Sequence, residues 1–243
     1  MAREIVDTHG LFGGGESADV AGFRVMNADG ASDWLAFLGA AYFRASGPRG
    51  QYGLSARAVA VDTGMPEPEE FPAFTDFWIE AKGADRLIIH ALVDGPSLTG
   101  AFTLDTRREG LAMTQAVEGT LFLRKNVRRL GIAPITSMFD FGEGHRGDRA
   151  DWRPEVHDSD GLALWTGAGE RIWRPLNNPA RVMVSSFVDT RPRGFGLMQR
   201  DRAFDNYGDG VYYDKRPSLW VEPLGDWGRS EEHTSELQSL RHL

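Results

Sequence analysis

The 243-residue chain contains no cysteine, so it can build neither a disulfide framework nor a thiolate metal site. That absence fits a reducing or an oxidising compartment equally and locates nothing. No run of 18 or more apolar residues occurs, so no membrane-spanning helix is expected. A basic block is missing too. With 27 basic against 35 acidic side chains and a formal net charge of −8, nucleic acid is not expected as a partner. Lysine is scarce (Lys82, Lys125, Lys215), leaving arginine as nearly all of the basic charge, a bias that a GC-rich genome produces without any function. No secretory signal is expected in the stretch after Met1, which has neither a basic start nor an apolar run. Phosphate-loop, zincin and C-x-x-C motifs are absent as well. Gly13-Gly14-Gly15 lacks the spacing and strand context of a dinucleotide fingerprint, and Ser185 and Ser186 have no nucleophile elbow around them. His9, His90, His145 and His157 are too scattered for a metal cluster. No metal and no cofactor are expected.

What is present is a globular composition, 41% hydrophobic and 26% charged, with 14 Phe, 7 Trp and 5 Tyr. The length suits one large domain or two small ones. Glycine and proline together make 41 residues, spread as punctuation between short apolar stretches. Most of these stretches alternate with period two: 57–61, 86–93, 99–104, 111–123, 161–165, 171–173, 181–187, 195–199 and 219–221. About ten strands at 8–15-residue spacing predict an all-β chain, a β-sandwich or supersandwich. Gly10–Gly15 (GLFGGG) reads as a loop. Two helices are expected, one over Trp34–Leu38 capped by Ser32 or Asp33 with Ala40 and Ala41 behind it. The other covers Phe71–Trp78, entered through MPEPEEFP.

Acids, arginines and aromatics crowd into 151–227. Asp151–Gly161 carries four carboxylates and His157, too polar for a strand core and ended by a D-G turn. His157 and Ser159 flank Asp158, and either can hydrogen-bond it. Paired carboxylates are the apparatus of glycoside hydrolysis, one protonating the leaving oxygen and the other activating water. A solvated loop or N-cap cluster is the alternative. In Glu170–Pro179, Trp173 offers an apolar face for sugar C–H groups while Arg174, Asn177 and Asn178 offer forks for hydroxyls. Trp173 also fits a core position, and Asn177-Asn178-Pro179 also fits a turn. Gln199–Tyr207 leads on to Tyr213–Trp220. Its alternating Arg and Asp read as a surface ion-pair ladder, interrupted by Phe204, Tyr207, Tyr212 and Tyr213, which a solvated face would not favour.

Longer motifs carry a resemblance. GIAPITSMFDFGE (Gly131–Glu143), RPEVHDSDGL (Arg153–Leu162), WRPLNNP (Trp173–Pro179), RGFGLMQRDRAFD (Arg193–Asp205), YDKRPSLWVEP (Tyr213–Pro223) and GDWG (Gly225–Gly228) resemble the periplasmic glucan biosynthesis proteins G and D. AGFRV, LGAAYFR, YGLSAR, EEFP, FWIE and SSF fit too, so the match runs in order from about Val20 to Gly228. The resemblance implies export to the periplasm and a role in glucans whose backbone is β-1,2-linked glucose. It also implies a β-supersandwich similar to galactose-mutarotase-like folds, here incomplete, followed in full-length members by a small immunoglobulin-like domain. Some members resemble inverting endo-acting β-1,2-glucanases. In them the aspartate of the H-D-S motif, Asp158 here, serves on the base side through a proton relay. The tyrosine of Y-D-x-R-P-S, Tyr213 here, belongs to the same environment. Glu155, His157, Trp173, Arg174, Asn177, Asn178, Arg202 and Trp220 are the candidate glucan-binding residues. A β-1,2-glucan is the expected partner, and a homodimer is the candidate assembly. A non-catalytic glucan-binding or scaffold role is the alternative function.

Two departures follow. Members are about twice this length, and the general acid of the hydrolytic ones lies downstream of G-D-W-G. From Arg229 the chain reads RSEEHTSELQSLRHL, which matches the translation of a common sequencing-library adapter. The expectation is that the glucan-biosynthesis domain occupies 1–228 and that 229–243 is a foreign tail, with a short natural amphipathic tail as the alternative. A genomic codon series continuous through Leu243 would defeat the foreign-tail reading.

Overall fold

The computed structural model describes residues 22–110, 112–145 and 151–236. The GLFGGG segment, His9 and Leu111 lie outside the described residues. The chain is all-β, with open sheets as a β-sandwich requires, and among the described residues no helix exceeds a single 3-10 turn. No helix there is long and apolar enough to cross a membrane.

The first sheet starts with β1 (Phe23–Met26), β2 (Asp33–Leu38), β3 (Tyr42–Ala45) and β4 (Ser55–Arg57), antiparallel in chain order. After β5 (Val59–Val61) comes a meander of β6 (Ala73–Ala81), β7 (Arg86–Asp94), β8 (Leu98–Glu109) and β9 (Ala112–Leu123). β10 (Leu130–Ile132) returns to β5, β11 (Ile135–Thr136) extends the first sheet beside β4, and β12 (Phe139–Phe141) pairs with β13 (Val156–His157). Then follow β14 (Gly161–Trp165), β15 (Arg171–Pro175), β16 (Met183–Thr190), β17 (Gly194–Met198), β18 (Leu219–Val221) and β19 (Arg229–Glu236). Four of these form a sheet in the order β15-β14-β17-β18, and β16 pairs with β19.

Both expected helices are strands. β2 is flanked on both sides by β1 and β3, and its Trp34, Leu35, Ala36 and Phe37 are all buried. A strand covered on both faces shows a continuous apolar run, which periodicity cannot distinguish from a buried helix. Ala40 and Ala41 settle the matter by taking positive φ (56° and 57°), so the chain reverses into β3 instead of winding on. In β6, Phe74 lies opposite Val93 and Phe77 opposite Ala91, with a register shift between Phe74 and Asp76. The extra residue of this bulge puts two phenylalanines three apart on one face, a helical spacing produced by a strand.

Phe74 and Phe77 join Phe23, Phe37 and Phe43 in the first core, with Phe23 and Phe37 stacked at 4.8 Å. The second core is the inward face of β14 and β17, where Leu162, Leu164, Phe195 and Leu197 alternate with small residues. A cavity of about 1170 Å³ borders the second core, lined among others by Tyr42, Arg57, Leu162, Asn177 and Phe195. On the opposite face of β14 and β17, Gly161, Ala163, Gly194 and Gly196 lie between Trp165 and Met198, leaving a floor on which large rings can lie.

β19 pairs with β16 over eight residues, and the main-chain N–H of Arg191 donates to the Gly228 carbonyl at 2.7 Å where the two strands converge. The tail, met in the sequence without an obvious partner, therefore finds one in its first eight residues.

Candidate active site

Each of the four carboxylates in Asp151–Asp160 has its own partner. Asp151 forks onto Arg153, its Oδ1 and Oδ2 accepting from Nε at 3.0 Å and Nη2 at 2.7 Å. The guanidinium holds the Asp151 carboxyl below the usual carboxylate range, and that same pairing raises Arg153. Arg153 also donates to Asp209 at 3.2 Å. Asp160 Oδ2 accepts the main-chain N–H groups of Arg200 and Asp201 at 3.0 and 3.1 Å, tying its loop to the end of β17. Glu155 Oε2 lies 2.9 Å from Nε2 of His157. Asp158 pairs with Nη1 of Arg216.

The Arg216 guanidinium also covers the ring of Tyr213, 4.1 Å from its centroid. One cation thus joins Asp158 to Tyr213, residues 55 positions apart. Both are nearly buried, as is His157, whose ring stacks on Phe139 at 5.5 Å and meets Tyr207 edge-on at 5.3 Å. Burial raises the Tyr213 hydroxyl above its ordinary value, so near neutral pH it is a phenol. Such a group passes a proton along a hydrogen-bond chain as donor and acceptor at once. It is not a phenolate base.

Tyr213 opens a one-turn 3-10 helix, Tyr213–Lys215, entered through Tyr212 at φ 62°. Arg202 stabilises this turn, its Nη1 donating to the carbonyls of Asp214 (3.0 Å) and Arg216. Arg49 reaches the Asp214 carbonyl as well, at 3.3 Å.

The remaining expected binding residues sit elsewhere. Trp173 lies opposite Ala163 across β14–β15 and covers Gly161, with the Arg200 guanidinium 4.4 Å from its centroid. Trp220 covers Gly194 and Gly196 on the same face of the sheet, its Nε1 donating to Glu222 at 2.9 Å. Arg174 is opposite Leu162 in β15. Asn177 lines the cavity, while Asn178 Nδ2 donates to the main-chain and side-chain oxygens of Asp140, each at 3.2 Å. The fold therefore gathers Glu155, His157, Asp158 and Tyr213 into one buried cluster, sets the half-buried Arg202 on the turn that carries Tyr213, and places Trp173 and Trp220 on the outer face of the neighbouring sheet. No group of three or more metal-ligating side chains is gathered among the described residues.

The family model described as "Periplasmic glucan biosynthesis protein, MdoG" matches residues 13–239. The chain belongs to this family. Glucans biosynthesis protein D 2 of Ralstonia nicotianae is 55% identical over 210 residues, covering 85% of this chain and 39% of that protein. The probable glucans biosynthesis protein D of Shewanella oneidensis is 52% identical over 224 residues, covering 90% and 41%. Its counterpart in Stenotrophomonas maltophilia is 51% identical over the same length, covering 90% and 42%. The chain thus spans about two-fifths of the length of the relatives it matches.

In this member of the family the geometry adds residues that the sequence reading passed over as site members: Arg216, Gln199, Tyr207 and the Arg153–Asp209 pair. For Gln199 a signal existed. It continues the parity of Phe195 and Leu197 in β17, both of which face the core, and a polar side chain on a buried parity needs an internal partner. Arg216 stands in the Y-D-x-R-P-S motif, but its pairing with Asp158, 58 residues away, left no mark in the sequence.

Proposed function

We propose that this chain is the part of a periplasmic protein that acts on β-1,2-linked glucan by hydrolysis with inversion, Asp158 serving on the base side and Tyr213 in the proton path to water. The observation that carries the reading is the shared Arg216, which neutralises Asp158 while stacking on Tyr213. The guanidinium beside Asp158 favours the carboxylate form, which is the form a group on the base side must hold before it takes up a proton. Tyr213, kept as a phenol, supplies the link between that carboxylate and a water molecule. Inversion needs a second carboxyl group as general acid, far enough across the sugar to leave room for the water. The family resemblance puts that acid downstream of Gly228.

A non-catalytic glucan-binding role is the second reading. It draws on the relatives' names, which speak of biosynthesis, and on the rings of Trp173 and Trp220 set on a glycine floor.

The test is incubation of the whole protein with linear β-1,2-glucan, scored by reducing ends and by the anomeric configuration of the first product. The hydrolytic reading expects inverted product from wild type, none from Asp158→Asn, and glucan binding retained by the variant. Binding without product in wild type would favour the scaffold reading.

A further inference from the structure

Gln199 is almost fully buried, and all of its hydrogen-bonding capacity is directed inward. Its Nε2 lies 3.1 Å from the main-chain oxygen of His157, 2.9 Å from the Tyr207 hydroxyl and 3.0 Å from the main-chain oxygen of Tyr213. Two of those three are carbonyls, which only accept, so the amide nitrogen must face them. Its Oε1 must then face Nδ1 of His157, at 2.9 Å. We infer that Gln199 is a positioning residue that clamps the segment carrying Asp158 to the segment carrying Tyr213, and that it fixes His157 with a proton on Nδ1.

The clamp acts at the peptide unit joining His157 to Asp158. The carbonyl of that unit accepts from Gln199, and its N–H donates to the Met138 carbonyl at 2.8 Å. Both sides of the peptide plane are thereby held, which sets the direction in which the Asp158 side chain leaves the backbone. On the other arm, Gln199 holds the first carbonyl of the turn that presents Tyr213 and Arg216. Gln199 is itself anchored, its main-chain N–H donating to Ser218 Oγ at 2.9 Å.

The His157 ring follows from this. With Nδ1 donating to an amide oxygen, Nε2 faces the Glu155 carboxyl, and one proton must lie between them. Glu155 and His157 therefore act as a buried prop that shares one proton and presents no ring nitrogen to a ligand. Tyr207 completes the cluster, its hydroxyl sharing one of the two Gln199 N–H hydrogens with a carbonyl and donating to the Asp201 carbonyl at 3.3 Å.

This inference rests on the hydrolytic reading for its effect on rate but not for its geometry, and two measurements separate them. In the 243-residue chain, a proton–nitrogen correlation spectrum of the histidine rings should show the His157 Nδ1 protonated and slowly exchanging from mildly acid to mildly alkaline pH. A wild-type ring protonated only on Nε2 overturns the clamp, and this result needs no variant. In the whole protein, Gln199→Leu should lower kcat about 100-fold, the scale of an ångström-sized misplacement, with KM little changed. Gln199→Glu should recover activity only towards acid pH, where its O–H can replace one N–H donor. A folded Gln199→Leu protein with wild-type kcat also overturns the clamp. A wild-type protein that releases no sugar removes the hydrolytic reading and leaves the ring spectrum to decide the clamp.

Discussion

Adding one methyl group at Gly161 tests the packing of the sheet beside the cluster. A Cβ built there would lie 2.2 Å from Cζ2 and 2.3 Å from Cη2 of Trp173. Carbon contacts are comfortable from about 3.5 Å, so the indole would have to retreat by roughly an ångström or more. It has little freedom to do so, since Trp173 is paired with Ala163 below and has Arg200 stacked above it. Overpacking of this kind costs about 1–3 kcal/mol. Against it stands the lower chain entropy of alanine, which favours Gly161→Ala by roughly 0.5–1 kcal/mol. The steric cost wins, and a net loss of about 1–2 kcal/mol corresponds to a melting temperature lowered by roughly 2–8 °C in a chain of this size. Thermal melts followed by tryptophan fluorescence would measure it. Gly225→Ala, where no atom lies within 4 Å of the added Cβ, is the control and should keep only the entropy gain, melting roughly 1–4 °C above wild type. A Gly161→Ala chain that melts with that control would refute the packing account of Trp173.

Two further outcomes follow from the charges. Arg216→Met leaves Asp158 buried beside Tyr213 without its cation, and breaking a buried pair from one side costs about 3–5 kcal/mol; urea unfolding should show that loss, with part of it recovered when Asp158→Asn is added. Asp151 has its carboxyl lowered in the folded state, first by its hydrogen bond from Arg153. The stability it contributes is therefore present above the ordinary carboxylate value and lost as pH falls through the lower folded one. Asp151→Asn should flatten that acid limb of a stability-against-pH curve, and an unchanged limb would contradict the assignment.

The strands were largely legible because one face of most of them is buried, which forces apolar residues to alternate. β2 and β6 were misread for opposite reasons. β2 is covered on both faces and loses the alternation, whereas the bulge in β6 imitates the helical interval with Phe74 and Phe77. The association of Glu155, His157 and Asp158 was legible as a short polar motif. Their connection to Tyr213 through Arg216 and Gln199 was not, because it depends on β17 and the 3-10 turn folding back across more than forty residues. Trp173 and Trp220 were legible as large rings in short strands between polar loops, but the glycines beneath them gave no hint of which ring each would carry.

The ladder between β16 and β19 has a practical side. An affinity tag fused after Gly228 starts where the chain joins β16, and one that takes the place of β19 in that ladder lies in the sheet instead of trailing in solvent. An antibody or resin would then meet a concealed epitope, and weak capture on a column would reflect concealment of the handle, not low expression.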